Sequence, residues 1–145
     1  MLPIIRVGGM GVGISIPPLV KEISLIGEGK VQGTVTGVAA HLILFHILQA
    51  GDKDGQMRRA LKNFPFPEVA KQVVDAYFIE GGIHPGVAGK PVPMVTLNPS
   101  RLVIALIICA NFAFVWLAKE GHDYPVSINW LEKVQTPHLY AIYGA

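Results

Sequence analysis

Charge is scarce in this chain and cysteine nearly absent, and each shortage removes a class of function. Only 15% of the 145 residues are Asp, Glu, Lys or Arg, and the 12 cations and 10 anions are scattered along the length with a formal net charge of +2. No basic block exists to track a phosphate backbone, so nucleic acid is not an expected partner. The one cysteine, Cys109, cannot form an internal disulfide and sits inside an apolar run, where a buried, inert thiol is the ordinary outcome. That suits a reducing compartment, and the expected location is the cytoplasm. Residues 1–6, Met-Leu-Pro-Ile-Ile-Arg, lack the basic region and apolar stretch of a secretory signal, so no targeting segment is expected. A Gly-x-Ser-x-Gly elbow, a Walker loop and paired cysteines are also missing, which removes the common hydrolase, kinase and zinc-enzyme readings.

Apolar residues, in contrast, make up 51% of the chain, enough for one domain, or one piece of a larger domain, with a real core. The longest apolar stretch, residues 102–118, is interrupted only by Asn111 and flanked by Arg101 and Lys119. Its 17 residues fall short of the ~20 of a membrane-spanning helix. It is read as a buried helix running directly into a buried strand, and a membrane is not an expected partner.

Along the chain, residues 3–7 form a short apolar strand that enters Gly8-Gly9-Met10-Gly11-Val12-Gly13. Ser15 is the expected cap of a helix over 19–26, with Pro17 and Pro18 at its start and Gly27-Glu28-Gly29 at its end. A strand over 30–35 is broken by Thr36-Gly37, and an apolar helix over 38–49 stops at the polar loop 51–55. Two helices follow, 56–63 and 67–78, separated by the corner Phe64-Pro65-Phe66-Pro67. Residues 80–99, rich in Gly and Pro and without period, read as an insertion or a functional lid. Ser100 then caps a helix over 101–110, residues 112–118 are expected as a strand, 119–125 as a polar turn and 126–131 as another strand. Thr136 and Pro137 open a final helix over 138–145.

Strands alternating with helices, apolar on both faces, imply a largely parallel α/β sheet covered by helices, with four or so strands. A closed (β/α) barrel typically needs about 250 residues, so this length accommodates at best its first half. Half a barrel leaves two unpaired edges, for which self-association or a second chain is the expected remedy.

Glycines directly after a strand free backbone N–H groups and let a ligand approach closely, which makes residues 8–13 the leading candidate site. Common loop chemistry produces the same pattern, and the spacing is not that of a dinucleotide fold. His41 and His46 are five apart, which separates them around a helix and suits packing better than metal ligation. His84 and His138 have no cysteine or carboxylate cluster at ligand spacing, so no metal is expected. His122, within Lys119-Glu120-Gly121-His122-Asp123, is either a general acid or base or part of a solvated turn. Asn129 is an amide inside an apolar strand and must be hydrogen-bonded to backbone or ligand.

Pro3-Ile4-Ile5 followed by Gly8 through Ser15 resembles the opening of nitronate monooxygenases and of related flavin-dependent enoyl-ACP reductases. Further on, Arg58-Arg59-Ala60-Leu61, Tyr77-Phe78 with Gly81-Gly82, Val92-Pro93-Met94 and the long block from Ala110-Asn111-Phe112 to Asn129-Trp130-Leu131-Glu132-Lys133 are similar to one bacterial branch of that family. The resemblance implies the first part of an eight-stranded TIM-type (β/α) barrel that binds FMN and oxidises alkyl nitronates with oxygen, the alternatives being an enoyl-ACP or quinone reductase and a non-catalytic remnant or assembly component. It carries flavin contacts onto Gly9, Met10 and Gly11 in the first turn, onto Thr36 at the end of the second strand, and onto Asn129. Two departures stand out: Arg6-Val7 is one residue longer than the family pattern, and extra residues precede the second strand around Glu28-Gly29-Lys30. The family's catalytic histidine and main phosphate loops belong to the second half of the barrel, so no catalytic residue is assigned here.

Overall fold

The fold is that of a computed structural model, which describes residues 5–11, 13–37 and 39–128. Three short parallel strands lie in sequence order: β1 (Ile5–Arg6), β2 (Val31–Val35) and β3 (Val126–Ile128). The lower part of β2 pairs with β1, Ile5 opposite Val31 and Arg6 opposite Gln32, and its upper part pairs with β3, from Gly33 opposite Val126 to Val35 opposite Ile128. Side chains add one cross-strand link, a 2.7 Å hydrogen bond between the hydroxyls of Thr34 and Ser127. The chain is thus α/β with a small parallel sheet, and among the described residues there are three strands rather than four.

Helix α1 (Pro17–Ile26) returns the chain between β1 and β2. It lies so close to the sheet that a Cβ on Gly33 would stand 2.8 Å from Val20 Cγ1 and 2.9 Å from Val20 O, which is why β2 carries a glycine at its centre. Between β2 and β3 come α2 (Ala40–Gln49), α3 (Gln56–Leu61), α4 (Pro67–Tyr77) and α5 (Arg101–Lys119). Helix α5 touches every other helix as well as β2 and β3, so the core has α1 and α5 on the sheet and α2, α3 and α4 packed beyond α5.

The separation of residues 101–110 from 112–118 is corrected here: both belong to the single helix α5. No Gly or Pro interrupts this stretch, and Asn111, whose side chain could have competed for backbone, instead donates to Ile107 O at 2.7 Å within the helix. Ser100 caps the start by accepting from Val103 N–H. By length and composition α5, with a mean hydropathy of 2.2, is apolar enough to cross a membrane, and half of it is buried inside this fold. Cys109 is fully buried on it, and burial pushes the thiol up to about 11.

The polar loop after α2 is more ordered than its composition suggests. Asp52 is buried with a left-handed backbone, φ 40°, and its carboxylate accepts from the N–H groups of Met57 and Arg58 and from Arg58 Nε at 3.2 Å. The carboxylate therefore caps α3 and holds Arg58, whose guanidinium lies 4.3 Å above the Phe78 ring.

Residues 80–99 contain no helix or strand, as their composition implies. Buried Gln49 docks the first part of the segment by donating from its amide to Tyr77 O and accepting from Lys90 N–H at 2.8 Å. Gly51 and Gly82, both at positive φ, let the two backbones meet: a Cβ on Gly82 would lie 2.8 Å from Ala50 O. Past Lys90, Val92, Met94, Val95 and Leu97 are exposed, while Pro93 is buried.

Removing buried volume from α5 tests its central role. Leu106, fully buried, should cost about 2–5 kcal/mol when changed to Ala. Exposed Ile104 on the same helix should cost no more than about 0.5 kcal/mol. Urea unfolding followed by circular dichroism reads both, and equal losses would show that α5 is not the core helix.

Candidate functional site

In a parallel sheet the carboxyl ends of the strands open toward one edge, where the connecting loops can converge on a ligand. Here that edge is formed by the turn after β1 and by Thr36-Gly37 after β2. Gly9 is partly buried, Met10 is 43% exposed and Gly11 is exposed. A Cβ placed on Gly8, Gly11 or Gly13 would meet nothing within 4 Å, so these glycines present bare backbone to open space.

The turn is held by Ser15. Its hydroxyl accepts from Met10 N–H at 2.7 Å, and its own N–H donates to Met10 O at 3.4 Å. Ser15 O in turn accepts from Thr36 N–H at 2.9 Å, which stitches the turn to the end of β2. Ser15 and Thr36 are both buried. The structure therefore brings Gly9, Met10, Gly11 and Thr36 to one edge, while Asn129 lies outside the described residues.

This arrangement also corrects the expected cap of α1. The N-cap is Ile16, with no capping side chain, because the Ser15 hydroxyl is spent on the glycine turn. Prolines at the first two helical positions remove two of the N–H groups that would otherwise receive an anion. The start of α1 is thus poorly supplied to hold a phosphate.

His122 is a closing element of a turn. Its Nε2 lies 2.7 Å from Ala118 O, and its Nδ1 accepts from Tyr124 N–H at 3.1 Å, so both ring nitrogens are engaged by backbone. That pattern places the ring proton on Nε2 and leaves no free nitrogen for proton transfer. His46 is exposed and edge-on to Phe45, with ring centroids 5.2 Å apart. His41, in the first turn of α2, is partly buried, and desolvation lowers its pKa from the ordinary 6.5.

Two surface clefts lie elsewhere. One, of about 300 Å³, is lined by Lys21, Glu22, Arg59 and Glu120 among others, with Arg59 gripping Glu120 through two hydrogen bonds. The other, of about 380 Å³, lies along α3 and α4. Neither includes a residue of the glycine turn. Among the described residues no group of three or more His, Cys, Asp or Glu side chains is placed to hold a metal ion.

No family model matches the chain, and no curated protein or solved structure matches it.

Sequence reasoning missed Ser15 as the organiser of the turn, since its position also suits a helix cap. It also missed the buried roles of Asp52 and Gln49, whose residue types ordinarily signal solvent-facing loops and helix ends.

Ser15→Ala removes the acceptor for Met10 N–H and should cost about 1 kcal/mol, with faster amide hydrogen exchange at Met10. Unchanged exchange there would show that the hydroxyl does not hold the turn. For His41, the folded state takes up a proton less readily than the unfolded chain, so its contribution to stability is retained above the ordinary value of 6.5 and lost as pH falls below it. Wild type should therefore lose more stability than His41→Gln when pH drops from about 7.5 to 5.5, as read by urea midpoints.

Proposed function

We propose that this chain forms the first strands of an FMN-dependent (β/α)-barrel oxidoreductase that oxidises alkyl nitronates. The observation that carries the reading is the junction of the bare glycine turn after β1 with the end of β2, fastened by Ser15, at the edge where such folds bind ligands. It adds to the resemblance over residues 3–15 and 110–133.

Strand order supports the barrel part of the proposal. Three parallel strands in sequence order keep the crossovers progressing in one direction, as closure requires. Pairing also steps along β2, from residues 31–32 against β1 to 33–35 against β3, a stagger of the kind that tilts strands in a barrel.

FMN, when bound, would supply the redox chemistry, accepting electrons from the nitronate and passing them to oxygen. The chain's own contribution is positional. Gly9, Met10 and Gly11 would offer backbone to the flavin ring, and the Met10 side chain would flank it. Thr36, buried at the end of β2, would border the same ring. The phosphate would be held elsewhere than at the proline-blocked start of α1.

A glycine facing open space permits a test that separates binding from folding. Gly11→Val should leave stability within about 0.5 kcal/mol of wild type, because no atom lies within 4 Å of the new Cβ. It should weaken FMN binding about tenfold or more, a loss of roughly 1.4 kcal/mol, measured by quenching of flavin fluorescence. Equal affinity in wild type and variant would remove the turn from the flavin site, and absence of quenching by wild type would defeat the reading as a whole.

A further inference from the structure

We propose that residues 92–97, with the exposed row of α5 that follows them, form a contact surface for an anionic lipid membrane. No Asp or Glu occurs between Glu80 and Glu120, whereas Lys90 and Arg101 flank the segment. Val92, Met94, Val95 and Leu97 are exposed between these two cations, Met94 at 71% and Leu97 without any cover. On α5 the row of Arg101, Ile104 and Ile108 is exposed as well, so apolar surface continues from the segment onto about 10 Å of helix. Aliphatic side chains with cations at their margin and no carboxylate among them meet acyl chains and anionic headgroups together.

The segment is fastened at both ends. Gln49 accepts from Lys90 N–H at 2.8 Å, the Lys90 ammonium donates to Ala76 O, and Ser100 caps α5. Pro91, Pro93 and Pro99 restrict the backbone between, and Pro93 is buried. The exposed side chains are therefore held ready, and covering them costs little further ordering. Half of α5 stays buried inside the fold, so the contact is with a membrane surface rather than a span.

A second copy of the chain fits this face less well. A two-fold contact through it would bring Lys90 and Arg101 of one protomer toward the same cations of its partner, with no carboxylate there to receive them. A different protein would be expected to anchor aromatic or arginine side chains in shaped pockets, and neither surface cleft is lined by any of these residues. Aliphatic side chains on an irregular segment need no shaped counterpart when the other phase is fluid hydrocarbon.

Co-sedimentation with vesicles of phosphatidylcholine containing about one-quarter phosphatidylserine tests this, with pure phosphatidylcholine as the neutral control. Wild type should stay in solution when spun alone and sediment with the anionic vesicles. Met94→Ser combined with Leu97→Ser should weaken that binding about tenfold or more, the scale of one large aliphatic side chain left in water. Arg101→Gln should weaken it about fivefold, and added salt should act in the same direction. Ile26→Ser, which removes an exposed apolar side chain at the end of α1, should leave binding unchanged. Urea midpoints of all these variants should match wild type, since each side chain is exposed. Wild type left in the supernatant with anionic vesicles, equal binding to neutral ones, or binding that the double variant does not reduce would each overturn the proposal. Concentration-dependent dimerisation abolished by the double variant would overturn it in favour of a second copy.

Discussion

Packing against α5, half of which is buried, is the constraint on which the other elements depend. Val103, Ala105, Leu106, Cys109, Ala110, Ala113, Phe114, Leu117 and Ala118 are buried, while Arg101, Ile104 and Ile108 lie exposed along one row. A helix this apolar needs covering on more than one side. The sheet and α1 supply one side, and α2, α3 and α4 the other. The alanines matter here, because small side chains let neighbouring helices approach closely while Phe114 and Leu106 fill the space between.

That same enclosure explains the main misreading of the sequence. An amphipathic helix announces itself by a polar face at helical period, and α5 has almost none. With the period erased, an apolar run can be divided at its one polar residue, and Asn111 invited that division. Its amide instead returns to Ile107 O and leaves the helix unbroken. Where local chemistry was distinctive, the sequence was informative: Ser100 caps α5, Gly27 to Gly29 end α1, and the proline corner at 64–67 separates α3 from α4. Short strands were legible as apolar segments between turns, but their pairing rests on contacts far apart in the chain. The link between Thr34 and Ser127 spans 93 residues and has no local signature.

Of the candidate site, the glycine turn and Thr36 could be located from sequence, but what joins them could not. Ser15 serves three bonds at once, accepting at its hydroxyl, donating from its N–H and accepting at its carbonyl. A serine before two prolines satisfies the rules for a helix cap equally well, and only the tertiary position of Met10 decides between the roles. Buried Asp52 and Gln49 escaped notice for a related reason. Each is a polar residue whose hydrogen bonds are mostly to backbone groups beyond its own turn of chain, so composition marks it as surface while hydrogen bonding makes it interior.

These details bear on how a cofactor could divide its contacts. A flavin has a flat ring and a charged tail, and the two need different protein surfaces. Bare glycine backbone allows close approach of a ring, and Ser15 holds that backbone in place without occupying the open side. A phosphate needs several convergent N–H donors, and Pro17 and Pro18 withhold them where a strand–turn–helix unit would most readily offer them. On the proposed reading the turn would therefore serve only one end of the ligand. Such division requires that the other end be met by different elements, and it ties the strength of binding at this edge to shape and hydrogen bonding rather than to charge. That is why a single added side chain at Gly11 is a sharper probe of the proposed site than any change of charge along the chain.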